Sequence, residues 1–387
     1  MQCVEIERTF DKYAAIVQDL SFAEVRRWKD GHPGGKAIGF FPVWAPMEII
    51  HACGMLPVGL NGAGDGLDIQ HADARFGSFI CSIVKTTLEM AMTGRFEPLD
   101  GMLFSTICDS ARNLCYVLKR NYPQMYVDFL HLPHNPGSPA TVEFLRGEYR
   151  RLQQHLEKLG GRPISTEALC HSIELYNENR ALLRQLYAFR AANPHLLRTW
   201  ELYTLMRAGN FVPVERHNDW LRATVAELPS RTGRPRDSIR VIAEGAFCEQ
   251  PPLDLIKLME EAGCYFVDDD FILGRRWFTE DVPVIGDPFT ALAESYLNRA
   301  VYSSVRHDSR NPRHKALVEK VRRLGAQAVI LLIAKFCEPA YFDYVLFKRE
   351  LESATIPHLL LEFEEKTFTF ERLRSEVETF VESLLFD

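Results

Sequence analysis

The chain has no hydrophobic run long enough to cross a bilayer: its longest apolar stretch, Ala328 to Ala334, falls far short of the roughly 20 residues a spanning helix needs. It has no block of basic residues either. Lys and Arg gather no further than pairs such as Lys119-Arg120 and Arg275-Arg276, and 45 of them against 52 acidic residues leave a formal charge of −7. That balance excludes the electrostatic footprint of a nucleic-acid-binding protein. A nucleotide-binding glycine loop is also missing. GLNGAGDG, Gly59 to Gly66, fits neither GxGxxG nor GxxxxGK[ST], so any ATP used with this chain is handled by another polypeptide. No tandem repeat of about 20 to 50 residues is visible. The first residues, MQCVEIERTFDKYAAIVQDL, lack a basic start, an apolar block and a small-residue cleavage site, and the expected location is the cytoplasm.

What is present is ordinary globular composition, 47% hydrophobic and 25% charged over 387 residues, enough for two or three domains. Between Lys36 and His131, strand-like runs (Ala37 to Phe41, Leu56 to Leu60, Met102 to Ser105, Tyr126 to Leu130) alternate with helical segments. From Ser138 to about Val225 the apolar spacing is helical throughout. LPSRTGRPRDS then reads as a linker, after which RVIAEGA, CYFVDD, AVILLIA and HLLLEF restore strand–helix alternation. The expected fold class is α/β: two open parallel-sheet domains of Rossmann or flavodoxin-like type with a helical segment between them. The expected divisions are residues 1–137, 138–236 and 237–387. In such sheets ligands bind outside the carboxyl ends of the strands.

Nine cysteines without short-range pairing fit reduced thiols better than a disulfide framework. Cys108 follows the strand 102–105 and Cys337 follows the strand 328–334, each just before a predicted helix, so two thiols occupy equivalent places in the two domains. Cys81 lies on or just before another helix. Three thiolates converging there are suited to three irons of a [4Fe–4S] cluster. Spacings of 27 and 229 residues match no compact ferredoxin or zinc pattern, and packing as small hydrophobes is the competing reading. For Cys3, Cys53, Cys115, Cys170, Cys248 and Cys264 that packing reading is the expectation.

KAIGFFPVWAPMEIIHACGMLPVGLNG, Cys81, CDSARNL, GCYFVDDDFILGRR and AKFCEP together resemble the 2-hydroxyacyl-CoA dehydratase and benzoyl-CoA reductase family, across nearly the whole chain. Length and motif form look most like the smaller catalytic subunit of its ATP-dependent reductase branch. The resemblance implies a [4Fe–4S] cluster held by Cys81, Cys108 and Cys337, with one iron lacking a protein thiolate. It implies low-potential electron transfer that dearomatises an aromatic acyl-CoA thioester to a cyclic dienoyl-CoA, or water removal if the chain sits in the dehydratase branch. It also implies a homologous larger catalytic subunit, an ATP-hydrolysing iron–sulfur activator and reduced ferredoxin as indirect electron donor. A non-catalytic relay or scaffold subunit is a further alternative.

In WAPMEIIHACG, Glu48 and His51 stand three apart on one helix face and are candidates for proton transfer, though an acid in a first helical turn also serves as a dipole partner. Trp44 is suited either to an aromatic pocket or to the core. In VDDDFILGRRWF, Arg275 and Arg276 are candidates for holding coenzyme A phosphates. The alternative for them is an ion network with Asp268, Asp269 and Asp270.

Overall fold

The structure, a computed structural model, describes residues 2–386 apart from 65, 161–162, 247, 272–275, 302, 305, 307–311 and 365–369, with side chains from residue 9 onward. Among the described residues, eight short strands make two sheets: β1 (Ala37–Phe41), β2 (Leu56–Gly59), β3 (Gly101–Ser105) and β4 (Tyr126–Leu130), then β5 (Ile239–Glu244), β6 (Cys264–Asp269), β7 (Ala328–Ala334) and β8 (His358–Phe363). The sequences AIGFF, GMLFS and AVILLIA are apolar without alternation because β1, β3 and β7 are buried at every position. Helices cover both faces of a parallel sheet, which leaves no polar side.

All pairings are parallel, and the orders match: β2-β1-β3-β4 in one sheet and β6-β5-β7-β8 in the other. Both sheets therefore reverse direction next to their first strand, which opens a crevice at the carboxyl ends. Gly39, in the middle of β1, is dictated by packing, since a Cβ there would lie 2.4 Å from Met102 Sδ on the adjacent strand.

Among the described residues between the sheets, the regular elements are helices, including Thr141–Gly160, Thr166–Ala192, Thr199–Ala208 and Val214–Glu227. Thr166–Ala192 acts as a spine. Its positions 169, 173, 176, 180, 183, 187 and 190 are all buried, the three-then-four spacing of one helix face. Leu169, Ile173 and Tyr176 at its start pack into the core shared with β1 and β3 residues. Further along, Arg180 reaches Glu48 of the first half at 2.7 Å, while Tyr187 Oη donates to Asp269 of β6 at 2.9 Å. No described helix is long and apolar enough to cross a membrane.

Candidate functional site

Three helices begin with a cysteine at the N-cap. Cys81 precedes Ser82–Met92, Cys108 precedes Asp109–Asn121 after β3, and Cys337 precedes Glu338–Ser353 after β7. Cysteine is a poor cap compared with Ser, Thr, Asp or Asn, and none of the three forms a side-chain capping hydrogen bond. The amides of Val84, Ala111 and Ala340, three residues on, nevertheless favour the ionised sulfur in each case. Pro339 lies in the first turn after Cys337, where its missing N–H costs nothing.

The three thiols are half-buried and act on one another. Burial, followed by Glu249, Cys337 and Cys108, pushes Cys81 well above its ordinary pKa. Burial, with Cys108 and Glu249 adding to it, pushes Cys337 up to about 12 in spite of Arg313. A fourth thiol belongs to the group. Cys248, in the loop after β5, is raised by burial and then by Cys337, Cys108 and Cys81 together. Its neighbour Glu249 is buried and accepts hydrogen bonds from Ser82 Oγ and, at 3.2 Å, from the Ile83 N–H. The sequence placed Cys248 with the packing cysteines. The signal that could have found it is the rule that marked Cys108 and Cys337, a position at the carboxyl end of a sheet strand.

Glu48 and His51 share the helix Met47–Ala52 but face different partners. Glu48 is fully buried, with Oε1 on Arg180 and, among the described residues, no partner for Oε2. His51 is held 2.9 Å from Ser172 Oγ and 3.0 Å from Glu215 Oε1. Trp44 lies in the loop after β1 with φ 64°, a left-handed conformation unusual for a bulky residue. Its ring is buried beside Trp277 (5.3 Å between centroids) and Tyr296 (5.5 Å) from the second half. The aromatic contact thus joins the two sheets.

Arg276 is engaged within the protein. It donates to the Asp269 carbonyl at 2.8 Å and to Asp268 Oδ1 at 3.0 Å, and its guanidinium lies 3.3 Å from the Tyr187 ring centroid. This is the ion-network alternative, because three consecutive carboxylates at the end of β6 need counter-charge where water is scarce. Arg275 lies outside the described residues. The network borders a cavity of about 590 Å³ that none of the four cysteines lines. Arg313 binds Glu244, Asp270 and Asp343, and Lys320 binds Glu244 and Asp268. Against the effect of burial, Lys320, Arg276 and Arg190 hold Asp268 well below the usual carboxylate range.

Asp270 moves the other way. Burial and then Glu244 raise it to about 7, opposed by Arg313 and Lys320. The folded chain keeps this proton to higher pH than the unfolded chain. Its contribution to stability is therefore full below the unfolded value and lost as pH rises through about 7. Between about pH 5 and 8, the wild type is expected to lose more stability than Asp270→Asn. Urea midpoints that fall in parallel for the two proteins would reject this.

Over residues 42–384 the chain matches the family described as 2-hydroxyglutaryl-CoA dehydratase, D-component. The chain belongs to this family. It is 38% identical over 371 residues, 96% of each chain, to the C subunit of benzoyl-CoA reductase from Thauera aromatica. It is 30% identical to the (R)-phenyllactyl-CoA dehydratase beta subunit of Clostridium sporogenes, covering 91% of this chain and 92% of that one. With the (R)-2-hydroxyglutaryl-CoA dehydratase beta subunit of Acidaminococcus fermentans it shares 27% identity over 91% of its own length and 93% of the relative's.

In this member of the 2-hydroxyglutaryl-CoA dehydratase family, no three Cys, His, Asp or Glu side chains among the described residues close around a single-ion position. Ligands on separate corner irons of a [4Fe–4S] cluster stand farther apart than the ligands of one zinc. Soft donors within electrostatic reach of one another, first-turn amides that favour their ionised form and Arg313 acting on Cys337 fit such a cluster's net negative charge.

Proposed function

We propose that this chain is a subunit of an ATP-dependent benzoyl-CoA reductase, in which Cys81, Cys108 and Cys337 hold a [4Fe–4S] cluster. The observation that carries the reading is the convergence of these thiols from both halves of the chain at helix starts. Likeness to a reductase polypeptide over 96% of the chain supports it. When bound, such a cluster supplies low-potential electrons to an aromatic acyl-CoA thioester. Two electrons and two protons added to the ring give a cyclic dienoyl-CoA.

The chain's own residues surround the site with apolar cores that meet at the thiols, which keeps water and stray protons away. Glu48 and His51, on one helix, are the residues to which we assign proton transfer, with His51 hydrogen-bonded to Glu215. Electrons arrive from reduced ferredoxin through an ATP-hydrolysing iron–sulfur activator, and the complex is completed in the cytoplasm by a homologous larger subunit. A second reading, in which this chain relays electrons and the substrate sits in the larger subunit, is favoured by Cys248.

Product analysis with the assembled complex tests the proposal. Benzoyl-CoA with ATP and a strong reductant is expected to yield a dienoyl-CoA, whereas dehydration of a 2-hydroxyacyl-CoA without net reduction would move the chain to the dehydratase branch. The chain purified alone is expected to show neither ATPase activity nor ATP-driven reduction. Turnover by the isolated chain would refute the assignment of ATP chemistry to a partner.

A further inference from the structure

We infer that the cavity of about 590 Å³ at the ends of β5 and β6 binds a small organic carboxylate with an apolar body, at a site apart from the cysteines. The inference stands on that cavity and does not depend on the cluster reading. One wall is the spine helix, with Leu183 and Ala188, and the facing wall is the helix Arg313–Leu324, with Ala316 and Leu317. Val267 of β6 and Phe278 add apolar surface between them. The short alanine side chains keep the two helices from filling the space themselves. A volume within the range of about 300–1,000 Å³, apolar walls and a few polar groups at one end are the properties of a small-molecule site.

The sign of the ligand's charge follows from the hydrogen bonds at the charged end of the cavity. Both oxygens of each carboxylate there are engaged within the protein: Glu244 with Arg313 at 2.6 Å and Lys320 at 3.2 Å, Asp268 with Arg276 at 3.0 Å and Lys320 at 3.3 Å, and Asp270 with the Gly245 and Ala246 N–H groups. Asp269 accepts from Tyr187 Oη on one oxygen and faces Arg190 Nη2 at 2.7 Å with the other. The cations keep spare capacity. Lys320 spends its ammonium on two carboxylates and retains one N–H, while Arg276 spends its two terminal nitrogens on Asp268 and the Asp269 carbonyl and retains Nε. Their side chains are 24% (Arg276) and 23% (Lys320) exposed, more than any of the four carboxylates, of which Asp268 at 14% is the most open. At the mouth, Arg184 and Arg323 are exposed on opposite walls; Arg184 reaches Asp281, and Arg323, one turn after Glu319, has no hydrogen-bond or ion-pair partner among the described residues. With the acceptors occupied and donors left over, the site takes an anion, and guanidinium and ammonium groups suit a carboxylate. The apolar walls select an aryl or short alkyl body over inorganic phosphate, whose oxygens would be stranded without partners along them.

The test titrates the full chain, purified anaerobically, with benzoate, with benzamide as its uncharged counterpart and with inorganic phosphate, by isothermal calorimetry. The wild type is expected to bind benzoate at a single site, to bind benzamide at least about tenfold more weakly because the charge-assisted hydrogen bonds are lost, and to release no benzoate to phosphate. Ala316→Phe fills the cavity from one wall without touching an ion pair and is expected to abolish benzoate binding. Ala188→Phe fills it from the spine helix and replaces Ala316→Phe if that variant has lost the circular dichroism and Tm of the wild type. Absence of benzoate binding by the wild type overturns the inference, and so do equal affinities for benzoate and benzamide or displacement of benzoate by phosphate. Benzoate binding undiminished in a folded cavity-filling variant overturns it as well, by placing the ligand elsewhere on the chain.

Discussion

Cys81→Ser, Cys108→Ser and Cys337→Ser are each expected to lose most of their iron and all ATP-dependent turnover in the assembled complex, while Cys170→Ser keeps both. Serine matches cysteine in size but offers an oxygen that iron–sulfur clusters accept poorly in place of thiolate. Each of the three proposed ligand positions stands at the N-cap of a helix. Their helices start whether or not a cap bond is made there, so the substitution leaves the backbone in place and removes only the sulfur. Cys170 lies on the spine helix, where Glu174 and Glu167 are the charged groups acting on it and no other thiol is among them. Iron content equal to wild type in all four variants would defeat the cluster assignment. Iron retained with turnover lost would point to a different role for the sulfur concerned.

Arg313→Met is expected to destabilise the protein by about 3–5 kcal/mol, the cost typical of breaking a buried ion pair from one side. Its guanidinium contacts Glu244 at 2.6 Å, Asp343 at 2.8 Å and Asp270 at 3.0 Å, and it is 6% to 9% exposed along with Glu244. Removing it leaves Lys320 as the remaining cation on Glu244, with the extra negative charge concentrated at the carboxyl ends of β5 and β6. Methionine fills much of the arginine's volume, which isolates the charge from the packing contribution. Adding Glu244→Gln to Arg313→Met should recover part of the loss, since a neutral amide costs less to bury than an unpaired carboxylate. A chemical-denaturation midpoint within about 1 kcal/mol of wild type for Arg313→Met would show that the network relaxes to water instead.

The described strands were legible in the sequence: β1, β3 and β7 are buried on both faces and read as unbroken apolar runs, while the outer strands β4 and β8 keep an apolar majority around Asp128 and Glu362. Cys108 and Cys337 were legible for a related reason: a polarisable residue between a strand and a helix stands out against Ser, Thr or Asp. The buried charges were not. Glu48 and Arg180 are 132 positions apart, and each has the local pattern of an exposed helical residue. Only the crossing of the spine helix over the first half brings them together. Arg276 and its neighbouring carboxylates gave two readings in sequence, and the decision came from Tyr187 and Asp269 approaching from other elements. Cys248 escaped notice because GAFCEQPP contains Gly, Pro and an apolar stretch but no helix immediately after the cysteine.

The matched strand orders carry a consequence for how the protein is made. A ribosome releases the first sheet, with Cys81 and Cys108, well before the second, and sheets of this size fold as units in order of synthesis. The nascent N-terminal half therefore presents an incomplete thiol set until the polypeptide has been extended past residue 337. If the proposed ligand set is the one that holds metal, loading of that half alone is disfavoured by construction, and a chain truncated within the interdomain helices is left without its third ligand. On the cluster reading proposed above, cofactor insertion doubles as a proofreading step on the chain's own biosynthesis.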